Sequence, residues 1–188
     1  MMNKGNLVLF SGPSGVGKDT VLEVVLDKDK ELQKSISLTT REKRENEIDG
    51  KDYYFITDSA FEEMIKKNEV LEFAKYGKNF YGTPKAPIDK WLSEGKTIIL
   101  KIEVQGAKRI KELYDDAVGI FIMPPSIEEL EKRLRFRGTE NEEDIQRRLE
   151  IAKTEMEKSV DYDYLVVNDE IDTASNNVLE IIKALNKI

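Results

Sequence analysis

The 188-residue sequence contains no cysteine and no histidine. The first absence excludes disulfides, thiolate metal sites and cysteine nucleophiles. The second excludes every mechanism built on an imidazole. No apolar run approaches the roughly 20 residues needed to cross a membrane. The stretch Leu7 to Phe10 is too short for a signal-peptide core, so the expectation is a soluble cytoplasmic protein. Positive charge is in deficit: the net charge is −7 and the pI about 5.0. A general nucleic-acid binder is usually basic, so neither nucleic acid nor a membrane is expected as a partner. Any chemistry must use carboxylates, lysine, arginine, hydroxyls, backbone groups or a bound ion.

An apolar fraction of 39% is enough for a proper core, and the length suits one domain. The arginines are unevenly placed. There are eight, and five of them (Arg133, Arg135, Arg137, Arg147, Arg148) fall within sixteen residues, while Arg41 and Arg44 form a second pair. Concentrated arginine in an acidic chain points to small anionic ligands, because the guanidinium fork matches phosphate.

Periodicity gives the element order. Leu7 to Phe10 reads as a buried strand, and Lys18 to about Asp27 as a helix with Val21, Leu22, Val25 and Leu26 on one face. Ser35 to Thr40 alternates like a strand, and Asp49-Gly50 signals a turn before a strand at Asp52 to Thr57. Ser59 with Glu62 forms a capping box for a helix through Asn68. Val70 to Tyr76 reads as a strand, Tyr81 to Pro84 as a turn, and Pro87 to Glu94 as a helix stopped by Gly95. Thr97 to Val104 reads as a central strand, followed by a helix from Ala107 to Leu113 and a buried strand from Ala117 to Met123. Ser126 and Glu129 open a helix to Gly138, and another covers Glu142 to Lys158. Tyr164 to Val167 is the last strand and Asp172 to Asn186 the last helix. Strands alternating with helices predict an α/β fold with a parallel sheet flanked by helices. Residues 35–90 break that rhythm and read as a partly antiparallel insertion.

Gly12-Pro13-Ser14-Gly15-Val16-Gly17-Lys18 matches the phosphate-binding loop G-x-x-x-x-G-K between a strand and a helix. The glycines let several backbone N–H groups turn toward one anion, and the helix adds its positive dipole end. Lys18 supplies a mobile charge. The residue after lysine is normally Ser or Thr, which holds Mg²⁺; here it is Asp19, and Thr20 is the candidate metal ligand. Asp19 either turns away from the phosphates or meets the metal through water.

With this loop, a longer series falls into line: Ser35-Ile-Ser-Leu-Thr-Thr-Arg-Glu-Lys-Arg44, Gly50-Lys-Asp-Tyr-Tyr-Phe55, Leu71-Glu-Phe73, Tyr81-Gly-Thr83 and Val104-Gln-Gly-Ala107. It continues with Pro124-Pro-Ser126, Arg133-Leu-Arg-Phe-Arg-Gly-Thr139, Tyr162-Asp-Tyr164 and Asn168-Asp169. In order and spacing the chain resembles the guanylate kinases along nearly its whole length. The resemblance implies the P-loop nucleoside monophosphate kinase fold. It also implies a nucleotide-binding core (about 1–34, 91–125 and 159–188), a GMP-binding subdomain (about 35–90) and a helical lid (about 126–158). The implied reaction is ATP + GMP → ADP + GDP with Mg²⁺, in purine nucleotide metabolism.

By that resemblance ATP is bound by Gly12 to Thr20 and Asn168, and Lys18, Arg133, Arg137 and Arg148 serve catalysis. Arg137 also covers the adenine. Arg41, Arg44, Tyr53 and Tyr81 are expected at the GMP phosphate. Glu72, helped by Ser37 and Thr83, is expected on the guanine edge, where one carboxylate can accept both N1–H and the 2-amino group. Glu103, at a strand end, is left to guanine or the metal shell, and Lys101 stands where the family usually has an acidic residue. dGMP is expected to serve beside GMP, since no residue is required to meet the 2′-hydroxyl. Oligomeric state has no signal in the sequence. Two other readings compete: a catalytically silent guanylate kinase-like binding module, and a kinase for another small phosphorylated substrate.

Overall fold

The computed structural model describes residues 5–136 and 141–186. Arg137 and the predicted helix end at Gly138 lie outside the described residues.

The core is a five-stranded parallel sheet. Its strands are β1 (Leu7–Ser11), β2 (Gln33–Lys34), β7 (Ile98–Lys101), β8 (Val118–Met123) and β9 (Tyr164–Val167), in the order β2-β7-β1-β8-β9. Leu7 pairs with Ile98, Val8 with Val118 and Ile120 with Tyr164. Alternation along the strands sends side chains to opposite faces. Val8, Phe10, Ile99 and Ile122 pack under α1 (Lys18–Lys28) and α7 (Ile171–Leu185), with Leu130, Leu134 and Leu149 joining from α5 (Ile127–Phe136) and α6 (Glu142–Glu157). Leu7, Leu9, Ile98 and Leu100 pack on the other face against α3 (Lys85–Ser93) and α4 (Val104–Leu113). Each fully buried aliphatic side chain contributes about 1.5–3 kcal/mol. The connection out of β1 runs toward the β2 edge and the one out of β7 runs the opposite way to β8, and at that reversal a crevice opens at the strand C-termini.

A second sheet, β4-β3-β6-β5, is built from β3 (Leu38–Thr39), β4 (Tyr54–Phe55), β5 (Val70–Tyr76) and β6 (Asn79–Pro84). β5 and β6 form an antiparallel hairpin, and β3 pairs antiparallel with β6 and parallel with β4. Helix α2 (Asp58–Lys66) seals this sheet through Phe61, which is fully buried and stacks on Phe80 at 5.3 Å.

Several expectations need correction. Tyr81 to Pro84 is strand, not turn; the hairpin turns at Gly77, whose φ of 60° suits glycine. Cross-strand pairing with β3 and β5 overrides the local Gly-Thr-Pro signal. Ser35 to Thr40 is not one strand. Ser35 N–H still donates to Ile99 O of the core sheet, whereas Ser37 O accepts from Tyr54 N in the second sheet. The segment is the passage between sheets, which puts Ser37 at their seam.

Strand β7 ends at Lys101 and α4 already begins at Val104, with Ala107 N–H donating to Glu103 O. The β-branched residues at 102 and 104 mimic a longer strand. α3 starts at Lys85, placing Pro87 in its first turn, where the missing N–H costs nothing. The cap of α2 is Thr57, not Ser59: Thr57 Oγ1 accepts from Ala60 N at 3.2 Å. Thr57→Ala is expected to cost about 1 kcal/mol in denaturant unfolding, and Ser59→Ala clearly less. Equal losses from the two would reassign the cap.

Among the described residues no helix is long and apolar enough to cross a membrane.

Candidate active site

The loop between β1 and α1 separates two cavities. The first, about 520 Å³, is lined by Gly15, Gly17, Thr20, Arg133, Phe136 and Asn168. The second, about 600 Å³, lies on the other side and takes Gly12, Ser14 and Lys18 together with Ser37, Glu72 and Tyr81.

The loop itself requires its glycines. Gly15 has φ 89° and Gly17 φ 93°, a region that L side chains rarely adopt. A Cβ on Gly15 would also lie 2.6 Å from Leu134 Cδ2, and one on Gly17 2.7 Å from Asn168 Nδ2. Lys18 opens α1 and folds back, its ammonium donating to Gly12 O and Pro13 O. Burial pulls the Lys18 pKa down, and the negative charges of Glu155 and Asp19 work against that fall.

Arg133 and Asn168 reach the loop from behind. Arg133 Nη1 donates to Asn168 O at 2.9 Å, and Asn168 Nδ2 donates to Val16 O at 2.7 Å. Asn168 Oδ1 is buried with no hydrogen-bond partner among the described residues, and the residue lines the first cavity. Arg148 is half-buried on α6, and the lining of neither cavity includes it.

In the second sheet the fold brings Arg41, Tyr53 and Tyr81 together. The rings of Tyr53 and Tyr81 meet edge to face at 5.9 Å, and the Arg41 guanidinium lies 5.6 Å from the Tyr53 centroid. Arg41 is gripped in bidentate fashion by Glu47, at 2.9 and 2.6 Å. That fork holds the Glu47 carboxyl down at about 2, helped by the Arg44 backbone N–H, and raises Arg41 further. The Arg44 side chain is exposed on the same loop.

Glu72 stands on β5 at the inner wall. Thr83 Oγ1 donates to Glu72 Oε1 at 2.7 Å, leaving Oε2 toward α4. Gly106 makes room there: a Cβ at that position would lie 2.8 Å from Oε2. Burial raises the Glu72 pKa, with Glu103 adding to the rise and Thr83 and Arg109 opposing it. Glu103 and Ser37 line the same cavity. Asp19, whose role the sequence left open, is ion-paired with Lys101.

A family model described as "Guanylate kinase" matches residues 4–185. The chain belongs to the guanylate kinase family. A guanylate kinase of Lactococcus lactis is 48% identical over 184 residues, 98% of this chain and 90% of that one. One from Prochlorococcus marinus is 44% identical, covering 97% and 100%. The crystal structure of the guanylate kinase from Anaplasma phagocytophilum superposes with a TM-score of 0.78 at 32% identity, covering 98% and 87%.

Sequence reasoning missed four residues of this guanylate kinase site. Glu47 organises Arg41; its place six residues on, in a polar loop, was the available signal. Gly106 sits inside the Val-Gln-Gly-Ala motif and was read only as part of a match. Arg109, whose guanidinium lies 5.9 Å from the Phe73 centroid, follows one turn after Gln105 and faces the same cavity. Glu155 arrives from α6 to line the cavity that holds Lys18: its Oε2 is buried with no partner among the described residues, and burial raises its pKa against the pull of the Lys18 charge. Nothing local in the sequence announces Glu155.

Among the described residues no group of three or more acidic side chains could cage a metal. Mg²⁺ that accompanies nucleotide phosphates takes most of its ligands from phosphate oxygens and water and needs few from protein. Thr20, exposed in the first cavity, is the hydroxyl that fits.

Proposed function

We propose that the first cavity takes ATP, the second takes GMP, and the γ-phosphoryl group passes between them over the phosphate loop. One observation carries this reading: a single seven-residue loop lines both cavities, with Gly15 and Gly17 on one side and Gly12, Ser14 and Lys18 on the other.

In the reaction a GMP phosphate oxygen attacks the γ-phosphorus, the bond to the β,γ-bridging oxygen breaks, and ADP leaves. Such transfer needs in-line positioning and charge neutralisation more than acid–base chemistry, so a chain without histidine can perform it. Lys18 exchanges its bonds to Gly12 O and Pro13 O for phosphate oxygens. The loop N–H groups and the first turn of α1 hold the ATP phosphates. Arg133, already behind the loop, adds positive charge, and Arg137 and Arg148 are assigned to the same charge by position in the lid. Mg²⁺, with Thr20 as its protein ligand, supplies further neutralisation of the phosphates when bound.

On the acceptor side Arg41, Arg44, Tyr53 and Tyr81 hold the GMP phosphate, and Glu47 sets the fork of Arg41 beforehand. Glu72 accepts guanine N1–H and the 2-amino group, with Thr83 and Ser37 steadying it and Glu103 at the strand end. Asn168 Oδ1 accepts from the adenine amino group, and Phe136 and Ile171 offer apolar surface to that base. ATP and GMP are cytoplasmic metabolites, which supports action there, within purine nucleotide metabolism.

The direct test is ADP release from Mg²⁺-ATP with GMP, dGMP, AMP, UMP and CMP offered one at a time. Release is expected with GMP and dGMP and nearly none with AMP. Equal release with AMP would refute the assignment of Glu72, and no release with any of them would refute the reaction.

A further inference from the structure

Two residues near the loop carry opposite charge: Asp19, which follows Lys18, and Lys101. The fold joins them. Lys101 is the last residue of β7, paired in register with Phe10 of β1, and its ammonium donates to Asp19 Oδ1 in the first turn of α1, 82 positions away. The side chains keep 34% and 71% of their exposure. An ion pair this open to solvent does little for stability.

Lys101 also carries an electrostatic cost. Its charge acts against the ammonium of Lys18. Two cations that line one cavity are stabilised by an anion arriving between them. The cavity decides which anion. Lys101 lines the one that holds Glu72, Tyr53 and Tyr81, not the one that holds Asn168. At its loop end, Glu103 and Glu155 already present two carboxylates. With Lys18 alone, that end would be unfavourable to a phosphate dianion.

We propose that Lys101 is a second phosphate-contacting lysine of this enzyme, held by Asp19 so that it takes an oxygen of the GMP phosphate as that phosphate attacks. Lys101 keeps its proton throughout; the bonds made and broken are those of the transfer itself. Asp19 acts through Lys101 as a positioning residue. The inference rests on the assignment of this cavity to GMP.

The test is calorimetric titration of Lys101→Met with GMP and with guanosine, without ATP or metal. Loss of one charge-assisted contact is expected to weaken GMP about tenfold. Guanosine, which has no phosphate, is expected to bind as it does to the parent. In turnover the KM for GMP rises and that for ATP does not, and Lys101→Arg restores most of the loss. Asp19→Asn is expected to weaken GMP less, and to add nothing in the Lys101→Met background. Parent-like GMP binding by Lys101→Met overturns the proposal, as does an equal loss of GMP and guanosine. A parent protein that binds neither overturns the assignment of the cavity itself.

Discussion

Lys18→Ala will abolish phosphoryl transfer and leave the protein folded. The Lys18 side chain contributes little to the core: among the described residues its ammonium bonds to carbonyls of its own loop. Gly12 lines the second cavity, where water can replace the lost donor. The loop's shape is held independently by Gly15 and Gly17 in left-handed conformations and by Asn168 Nδ2 on Val16 O. Unfolding temperature should therefore move little. Catalysis should not survive. Burial has already stripped Lys18 of much of its water, so its charge is prepared for the transferring phosphate and needs little reorganisation. Removing one such preorganised donor costs about 10³-fold in kcat, and more where the donor is a full charge. Steady-state ADP release and a melting curve on the same sample decide it. Near-parental turnover would remove Lys18 from the mechanism; a collapsed melting temperature would make its role structural.

The second large effect is expected at Glu72. Replacing it with Gln keeps size and keeps the oxygen that Thr83 Oγ1 reaches at 2.7 Å. The amide nitrogen then falls where Oε2 lies, beside Gly106, where the proposed function puts the guanine edge. A donor would meet two donors. Sites built to hydrogen-bond a substrate edge discriminate against mismatches by up to about 10⁴-fold, so GMP use should fall by roughly 10²–10⁴. ATP binding, on the far side of the loop, should not change, and preference for GMP over AMP should shrink. The pH dependence gives a separate check. Burial raises the Glu72 pKa, and GMP needs the ionised form. GMP binding should thus weaken as pH falls through a value above the usual carboxylate range, and Glu72→Gln should lack that acid limb. Equal losses of ATP and GMP, or an acid limb that persists in the variant, would end the role of Glu72 as base reader.

Much of this site was readable from the sequence because its chemistry is written in short spacings. The phosphate loop, the helix behind it, the buried strands β1 and β8 and the edge strand β9 depend on residues a few positions apart, and local sterics and periodicity decide them. The same is true of the Ser126 cap, where Glu129 N–H does donate to Ser126 Oγ. The expectations that failed are those in which distant pairing competes with a local signal. Tyr81 to Pro84 carries turn residues, yet neighbours on both sides draw it into a strand. Val104 suits a strand, yet it opens α4, with Ala107 N–H donating to Glu103 O. Thr57 outcompetes Ser59 because that register sends Phe61 into the core.

By itself, then, the sequence determined the glycine-rich loop between a strand and a helix, the order of strands and helices, the family, and the exclusion of imidazole and thiol chemistry. Only the tertiary structure decided how charges meet: Glu47 on Arg41, Glu155 beneath the loop, Asp19 with Lys101, and Gly106 opening space for Glu72. The physical reason is range. Backbone conformation is set by neighbours in the chain, whereas electrostatics and close packing act through space and depend on which strands end side by side.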